Sequence, residues 1–350
     1  MNEPQRIACF HLNQVGDLLF SLPALYNIRQ RFPNAHIASV ARPNCHDLLE
    51  LSGLVDEMIE RPRRPIGSSF RVARILRRKK FDLAVVFSTS LGMTALALMS
   101  GVPKRVGFGK MPTGLLLSSR LPWTPPPSTK NNLRLVEAIG CPVVKSDYVG
   151  IIKPRDADEA GAEELLASVG MANKQFVVLG PGTSTGREIK RWSNEGFAEI
   201  ADSVADRLGI KPVVVGLAGG VEISRLSKNA LDLTGNTSLP VLAALLRRAR
   251  LFIGVDSGVM HLAAAMGVRV VGLFGPSDPE ITRPQGEGHA VIHTDLPCRP
   301  CLAKTCSIDR ICMTGITPEI VFDVTSSLLA KDKNENRLIS ARPSQDCAHE

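Results

Sequence analysis

The sequence is poor in the aromatic side chains that stack on nucleic acid bases, with only two Trp and two Tyr among its 350 residues. Aromatic stacking supplies much of the affinity of proteins for single-stranded nucleic acids. The formal net charge is +8, and a basic surface can attract a nucleic acid. However, the most basic segments contain neither Trp nor Tyr. We therefore predict that nucleic acid is not a partner.

The sequence also lacks segments that would direct a chain into or across a membrane. It has no run of about twenty apolar residues, the length that a membrane-spanning helix needs. The first residues, MNEPQRIACF, have no basic segment followed by a long apolar run, so a secretory signal is not predicted. Eight cysteines diluted in a large chain are typical of reduced thiols. We expect a cytoplasmic protein.

Two glycine-rich nucleotide-binding motifs are absent. The segment NQVGD, residues 13–17, has one glycine where a dinucleotide fingerprint has three. No glycine-lysine pair is followed by Ser or Thr, so a Walker-type phosphate loop is absent as well. Tight dinucleotide binding and P-loop chemistry are therefore disfavoured.

What the sequence does contain is two series of short apolar runs that alternate with helical patterns. Such alternation predicts parallel sheets covered on both faces. One series occupies residues 1–152 and the other 175–330, with a helix-containing linker at 153–174 and a predicted disordered tail at 331–350. The predicted fold class is α/β, with two Rossmann-like doubly wound domains that face each other across a cleft.

Each series can be divided into individual elements. Apolar runs predict strands at 7–10, 37–41, 83–87, 176–179, 212–215, 251–254 and 268–274. Helical patterns occur at 18–31, 44–51, 70–78, 91–99, 131–139, 194–208, 239–248 and 259–266.

Basic residues are concentrated in the first third of the chain. An anionic membrane surface or an acidic substrate would fit this concentration, and a solvated helix face is the alternative. We single out Arg63 and Arg64, together with the later Arg120, as candidates for binding an acidic acceptor. The concentrated residues are Arg61, Arg63, Arg64, Arg71, Arg74, Arg77, Arg78, Lys79 and Lys80.

The segment GVDSGVMHLAAAMGVRVVGLFGPSDP, residues 254–279, is the most informative. It predicts a strand, a tight turn, a helix of small residues and a second strand. The first amides of such a helix attract an anion such as phosphate. Ser257 either caps the helix or bonds a ligand, and Gly258 allows a close backbone approach. The Asp256 carboxylate suits hydroxyls or a cation, and His261 either touches a ligand or packs the helix.

Polar residues follow other predicted strands in both halves. Asp17 lies just after the first strand, and its carboxylate is either a general base that faces the cleft or a partner of the helix dipole. In the second half, the loop GPGTSTG offers the hydroxyls of Thr183 and Ser184 to phosphate oxygens. Lys190 follows this loop, and is either a cation that neutralises a diphosphate leaving group or a surface charge.

Three other features remain to be interpreted: Glu222, Trp192 and the C-terminal cysteines. Glu222 follows a strand by a short Gly-rich loop, so it either accepts hydrogen bonds from ribose hydroxyls or caps a helix. Trp192 is interpreted as a packing residue. The four cysteines near the C-terminus either bind zinc or a cluster, or remain as reduced thiols or local disulfides. We predict no metal site; the four are Cys298, Cys301, Cys306 and Cys312.

Four segments, in this order, resemble a glycosyltransferase family, the bacterial lipopolysaccharide heptosyltransferases. They are HLNQVGDLLFSLPALYNIRQRFP, PGTSTGREIKRWSNEGFAEIA, LTGNTSLPVLAALLRRARLFIGVDSGVMHLAAAMGVRVVGLFGPSDP and CRPCLAKTCSIDRICMTGITPEIV. The resemblance extends over most of the chain and depends on the combination of its motifs. It implies a GT-B fold, ADP-heptose as donor, the lipopolysaccharide core as acceptor, and peripheral contact with the cytoplasmic face of the inner membrane.

The resemblance also implies residue roles. Asp17 matches the carboxylate that takes the acceptor proton, and Thr183, Ser184 and Lys190 match a diphosphate-binding loop and its lysine. Glu222 is similar in placement to an acid that holds the ribose. The remaining matches are to a motif that grips sugar and phosphate: Asp256, Ser257 and Gly258. The cysteine loop also recurs in part of the family.

The predicted reaction is an inverting, single-displacement sugar transfer. Asp17 deprotonates the acceptor hydroxyl, and Lys190 with the helix amides stabilises the departing diphosphate. We predict no obligatory cofactor or metal. The alternatives are a transferase of the same family with another nucleotide sugar or acceptor, a nucleotide-sugar epimerase of the same fold, and a non-catalytic nucleotide-sugar sensor.

Overall fold

The protein consists of two doubly wound α/β domains in tandem. The computed structural model describes residues 3–340 except 13, 62–65, 110–112, 125–127, 185, 218–221, 302 and 304. For residues 66–67, 113 and 331–340 it describes the backbone alone. Within the described residues, no helix combines the length and the apolar character that crossing a bilayer requires.

The first domain contains six strands and five helices among the described residues. The strands are β1 Arg6–Phe10, β2 His36–Ala41, β3 Glu57–Glu60, β4 Leu83–Val86, β5 Lys104–Phe108 and β6 Ser119–Leu121. The helices are α1 Val15–Arg31, α2 His46–Ser52, α3 Ile66–Arg78, α4 Leu91–Met99 and α5 Ser128–Glu137, with short 3-10 helices at Pro43–Cys45 and Thr113–Leu116.

The second domain repeats this plan. Its strands are β7 Phe176–Gly180, β8 Lys211–Val214, β9 Leu231–Asp232, β10 Leu251–Val255, β11 Val270–Phe274 and β12 Ala290–His293. Its described helices are α6 Asp156–Ser168, α7 Asn194–Leu208, α8 Ile223–Leu226, α9 Leu239–Arg248, α10 Gly258–Ala265, α11 Pro279–Thr282, α12 Ile311–Thr314 and α13 Pro318–Ser340, with a 3-10 helix at Glu188–Lys190.

Both sheets are parallel and have the same topology. The strand orders are β3-β2-β1-β4-β5-β6 and β9-β8-β7-β10-β11-β12. The order reverses between β1 and β4 in the first sheet and between β7 and β10 in the second. In open α/β sheets ligands bind outside the carboxyl ends of the strands at such a reversal. This topology confirms the predicted fold class and directs attention to the loops after β1, β7 and β10.

The central strands are apolar because helices cover both of their faces. Ile7, Ala8, Cys9 and Phe10 of β1 are all fully buried, as expected for a parallel strand inside two helical layers. In the first sheet, Ala8 and Phe10 face α3 and α4, whereas Ile7 and Cys9 face the layer that contains α1. Alternate residues thus build separate cores on the two faces.

One core is shared between the domains. It contains residues from α1, α2 and α5 of the first domain and from α6, α9 and α10 of the second. Helix α1 packs on α10, and α2 packs on α9. The backbone N–H of Gly150 donates to the carbonyl of Ala265 at 2.9 Å, which attaches the connecting segment to the second domain. The cleft is therefore closed at its base by helix packing.

The two domains approach each other closely at the N-terminal ends of α1 and α10. A Cβ atom added to Gly258 would lie 3.0 Å from Cβ of Val15 and 3.4 Å from the backbone nitrogen of Gly16. A Cβ atom on Gly16 would lie 3.2 Å from Cδ2 of His261. Gly258 therefore allows the two helices to pack closely. The sequence interpretation gave it a different role, a close approach of the backbone to a ligand.

Two segments outside the sheets bear on the predicted organisation. Helix α6 lies in the segment predicted as a helix-containing linker and packs on α9, with Arg248 paired to Glu159 and Glu163. Helix α13 continues to Ser340, past residue 331 where a disordered tail is predicted to begin. The rest of that tail, 341–350, lies outside the described residues.

Replacing Gly258 with Ala tests the contact between the two helix ends. The added methyl group would lie 3.0 Å from Cβ of Val15. Because its neighbours must shift, we expect the free energy of unfolding to fall by about 1–3 kcal/mol. The measurement is chemical denaturation followed by circular dichroism.

Gly182→Ala is the matched control, because nothing lies within 4 Å of the position where its Cβ atom would be added. Equal stability of Gly258→Ala and Gly182→Ala would contradict the proposed packing role.

Candidate active site

The predicted site residues of both domains meet where the strand orders reverse. Asp17 lies in the first turn of α1, which follows β1. Asp256 lies between β10 and the start of α10 at Gly258. Because α1 and α10 touch at their N-terminal ends, the two carboxylates face one region. Helix N-termini carry partial positive charge, so they favour anions here.

An ion pair occupies the centre of this region. The Lys190 ammonium lies 2.6 Å from Oδ2 of Asp256, at the end of the 3-10 helix Glu188–Lys190. Burial of Asp256 disfavours its charged form, but His261 and Lys190 outweigh that effect and hold its pKa well below the ordinary range. Asp256 therefore stays a carboxylate and fixes the ammonium beside the N-terminus of α10. The hydroxyl of Thr282 also donates to Oδ2 of Asp256, at 3.4 Å.

Asp17 has a different electrostatic environment from Asp256. Burial raises the pKa of its partly buried carboxyl group; His261, Lys190 and Arg187 oppose the rise, and the Asp256 charge adds to it. A carboxylate with a raised pKa is a stronger base than an ordinary aspartate. Lys190 and Asp256 of the second domain thus act electrostatically on Asp17 of the first domain. The hypothesis of a site formed by both domains requires such an interaction.

His261 joins the two carboxylates. Its side chain is 3% exposed, and Nε2 lies 3.6 Å from Oδ1 of Asp256. Nδ1 lies 3.0 Å from the hydroxyl of Tyr148, and the ring packs edge-on against Phe20 with centroids 4.6 Å apart. His261 is thus a packed histidine and a member of the cluster at once, so its two sequence interpretations do not exclude each other.

Ser257 acts locally in the structure. Its hydroxyl accepts a hydrogen bond from the backbone N–H of Met260 at 3.4 Å, as the N-cap of α10. This capping interpretation is one of the two that the sequence allows. It fixes the first turn of α10 against the Lys190–Asp256 pair.

The loop after β7 has unused hydrogen-bonding capacity. The hydroxyl oxygen of Thr183 is buried and has no hydrogen-bond partner among the described residues. The carbonyl of Ser184 accepts from the N–H of Arg187 at 3.0 Å, which turns the chain towards Lys190. A buried hydroxyl without a partner is costly, so a ligand at this loop would satisfy it.

Other predicted site residues lie elsewhere or outside the described residues. Glu222 is exposed and pairs with Arg225 at 2.6 Å, without capping α8 through its side chain. Arg120 is exposed on β6 and packs over Gly109 and Gly114. No described contact joins either residue to the cluster. Arg63 and Arg64, the other predicted acceptor ligands, lie outside the described residues.

The structure also shows the surroundings of Trp192 and of the C-terminal cysteines. Trp192 is 5% exposed, donates to the carbonyl of Ile316 at 2.8 Å and packs on Phe197, which confirms the packing interpretation. The cysteines of the C-terminal loop form no disulfide in the described chain. Among the described residues, no group of three His, Cys, Asp or Glu side chains is arranged to hold a metal ion.

Sequence reasoning missed several contributors to this site. Arg187 acts on the Asp17 charge, Thr282 bonds Asp256, and Tyr148 bonds His261. The position of Arg187 in the loop that leads to Lys190 was an available signal. Tyr148 lies far from the motifs along the chain. Thr282 follows the segment 254–279 by three residues, but no pattern marks either residue.

A comparison with protein families identifies the family to which this chain belongs. The model of glycosyltransferase family 9 (heptosyltransferase) matches residues 69–312, more than half of the chain. This chain belongs to that family. It is a glycosyltransferase, as its motifs predict.

Relatives of this glycosyltransferase match it along most of its length. Lipopolysaccharide heptosyltransferase 2 of Salmonella typhimurium is 27% identical, over 91% of this chain and 97% of that protein. Lipopolysaccharide heptosyltransferase 3 of Escherichia coli is 29% identical, over 91% and 96%.

Solved structures of similar proteins confirm the two-domain GT-B fold. A family 9 glycosyl transferase from Veillonella parvula has a TM-score of 0.82 at 23% identity, covering 95% of this chain and 99% of that one. The E. coli ADP-heptose lps heptosyltransferase II has a TM-score of 0.76 at 23% identity, covering 94% and 99%.

A double-mutant cycle on Lys190 and Asp256 tests the central ion pair. Lys190→Met leaves a buried carboxylate without its cation, so we expect a loss of unfolding free energy and a coupling of about 1–3 kcal/mol with Asp256→Asn. The measurement is denaturant unfolding of the two single variants and the double variant.

The exposed Arg225–Glu222 pair provides the control, since an exposed pair contributes little. Strictly additive effects of Lys190→Met and Asp256→Asn would contradict a structural ion pair.

Proposed function

We propose that this glycosyltransferase moves a heptose from ADP-heptose to the inner core of lipopolysaccharide with inversion at the anomeric carbon. The observation that supports it most directly is the cluster of Asp17 with Lys190 and Asp256 where α1 meets α10. One domain thus contributes a base and the other a cation beside a helix N-terminus. The names of the relatives support heptose as the sugar and lipopolysaccharide as the acceptor.

The proposed reaction is a single displacement. The acceptor hydroxyl attacks the anomeric carbon from the face opposite the diphosphate and gives its proton to Asp17. The bond between the anomeric carbon and the diphosphate oxygen breaks, and its electron pair leaves with the nucleoside diphosphate. The raised pKa of Asp17 suits it to accept the proton of the acceptor hydroxyl. Lys190 and the first amides of α10 can stabilise the negative charge that grows on the departing diphosphate.

We propose that the reaction needs no obligatory metal or other cofactor. The ammonium of Lys190 and the partial positive charge of the α10 N-terminus supply the stabilisation that a divalent cation supplies to diphosphates in other enzymes. The buried Thr183 hydroxyl adds a donor to the same anion.

Asp17→Asn should abolish most of the transfer while it retains donor binding. Asn keeps the shape but cannot accept the proton, so kcat should fall by about 10²–10⁴-fold. In the wild type, kcat/KM should decline towards low pH at values above the ordinary range for aspartate, because protonation removes the base and its pKa is raised. The measurements are nucleoside diphosphate release with ADP-heptose and truncated core lipid, and calorimetric titration of ADP.

Asp47→Asn is the matched control, since Asp47 also lies in the first turn of a helix in this domain, α2, but is exposed. Full activity of Asp17→Asn would refute the proposal, and nucleotide release without an acceptor lipid would instead favour an epimerase or hydrolase.

We further propose that the first domain contacts the cytoplasmic face of the inner membrane. Residues 61–136 contain fifteen Lys and Arg and one acid, Asp82. In the same region Phe70 of α3 is 60% exposed, Leu91 of α4 is 50% exposed and Leu115 is 67% exposed. Exposed apolar side chains among basic ones match the interface of an anionic bilayer.

This basic, apolar surface is placed suitably for a lipid-linked acceptor. Phe70, Leu91 and Leu115 follow β3, β4 and β5, so they lie near the carboxyl edge of the sheet, as does Asp17 after β1. Helix α4 contacts both α3 and the 3-10 helix that contains Leu115. The three apolar side chains therefore belong to adjoining elements on one face of the first domain.

Reversing charge on this surface tests the membrane proposal. Each basic residue near an anionic surface contributes about 1 kcal/mol, so Arg71→Glu with Arg74→Glu should weaken vesicle binding by at least about tenfold. The measurement is co-sedimentation with phosphatidylglycerol vesicles, beside neutral phosphatidylcholine vesicles.

Lys211→Glu with Arg225→Glu reverses two exposed charges on the second domain and is expected to change little. Equal binding of both double variants, or equal binding to both kinds of vesicle, would contradict the proposed surface.

A further inference from the structure

Tyr148 is a buried tyrosine in the segment between the domains. It is fully buried and lies between α5 and α6. Its hydroxyl has two described partners: Nδ1 of His261 at 3.0 Å and the backbone N–H of Gln285 at 3.0 Å. The hydroxyl therefore lies between the connecting segment and the α10 histidine of the site.

Gln285 makes this arrangement rigid. The backbone N–H of Tyr148 donates to Oε1 of Gln285 at 3.1 Å, so the two residues are joined by a reciprocal pair of hydrogen bonds. Nε2 of Gln285 also donates to the hydroxyl of Thr129 in α5 of the first domain. The first domain, the connecting segment and the second domain are thus linked through one glutamine side chain.

The hydrogen-bond pattern determines where the protons lie. The Gln285 N–H is a donor and occupies a lone pair of the Tyr148 hydroxyl. The hydroxyl proton then has Nδ1 of His261 as the acceptor among its described partners. Burial raises the pKa of Tyr148 well above its ordinary value, so the phenol keeps its proton. A neutral imidazole that accepts at Nδ1 carries its own proton on Nε2, the atom that faces Asp256.

The ring of His261 is enclosed on its other sides. Phe20 packs edge-on against it, and the Gly16 backbone leaves little space beside Cδ2. The titratable groups that act on this ring are Asp17 of α1, Asp256 before α10, Tyr148 and His289. A positive charge on the ring would lower the pKa of Asp17 and weaken it as a base.

We propose that Tyr148 is a positioning residue, which donates to Nδ1 of His261 and so holds the ring with its proton on Nε2. In this form the histidine offers a donor to Asp256. The effect of Tyr148 on kcat rests on the proposed transfer reaction. The position of the proton on His261 does not depend on that proposal.

Tyr148→Phe removes the hydroxyl and retains the ring. Without the donor at Nδ1, neither the orientation of the ring nor the position of its proton is fixed, so the Nε2 donor is no longer held towards Asp256. We expect kcat at neutral pH to fall about tenfold, at the low end for an acid–base contribution, with the KM for donor changed by less than about twofold. Tyr26→Phe, at the other tyrosine of the chain, is the control and should alter neither quantity.

Nitrogen NMR reads the tautomer without substrates. Two-bond proton–nitrogen spectra of the full-length protein labelled in histidine, with the His261 signals assigned by His261→Gln, should show a protonated Nε2 and an unprotonated Nδ1. In Tyr148→Phe this signature should be lost. A wild-type ring protonated at Nδ1, or a spectrum and a kcat unchanged in Tyr148→Phe, would overturn the proposal.

The two readouts separate the two hypotheses. Absence of turnover by the wild type would refute the proposed transfer while the wild-type spectrum still decides the tautomer. That spectrum also decides it if the variant does not fold.

Discussion

The site depends on the contact between the N-terminal ends of α1 and α10. Gly16 and Gly258 bring the two helix ends together at a distance where an added side chain would force its neighbours to shift. Two partial positive charges are thereby directed at one region, where the protein places the carboxylates of Asp17 and Asp256. Lys190 adds a full positive charge beside Asp256. Two helix ends and one ammonium therefore balance the two carboxylates at the proposed diphosphate site.

The two carboxylates have opposite properties in the same surroundings. Asp256 has a pKa below the ordinary range, because His261 and Lys190 outweigh the effect of its burial. Asp17 has a raised pKa, because burial is not fully offset by more distant cations. Pairs of acids whose environments shift their pKa values apart are typical of sites that move protons. Asp256 is suited to structure and binding, and Asp17 to accepting a proton.

The sequence was sufficient to predict the parts of the fold with strong patterns. The central strands and the helices that flank them were predicted within a few residues, because each strand is a continuous apolar run. The strands that were missed are short or lie towards the sheet edges, such as Glu57–Glu60 and Ala290–His293. Their apolar runs are only two and three residues long, too short to mark a strand.

The same division applies to the site. Asp17 and Asp256 could be predicted because they follow strands at topological reversals, and Lys190 because of its spacing from a loop rich in hydroxyls. Tyr148 and Gln285 could not, since they are separated by 137 residues along the chain and pair through tertiary structure alone. Glu222 also follows a strand, as Asp17 and Asp256 do. In the structure, however, its side chain pairs with Arg225, so its position after a strand did not by itself indicate its contacts.

The division of the cluster between domains has a consequence for water. Lys190, Asp256 and His261 all belong to the second domain, and Asp17 alone comes from the first. If the domains separated, the groups suited to the diphosphate would stay together while the base withdrew. An activated sugar held in such an open state would face bulk solvent without a group to deprotonate an attacking water. Contact between the two domains is therefore what brings a base beside the other groups of the cluster.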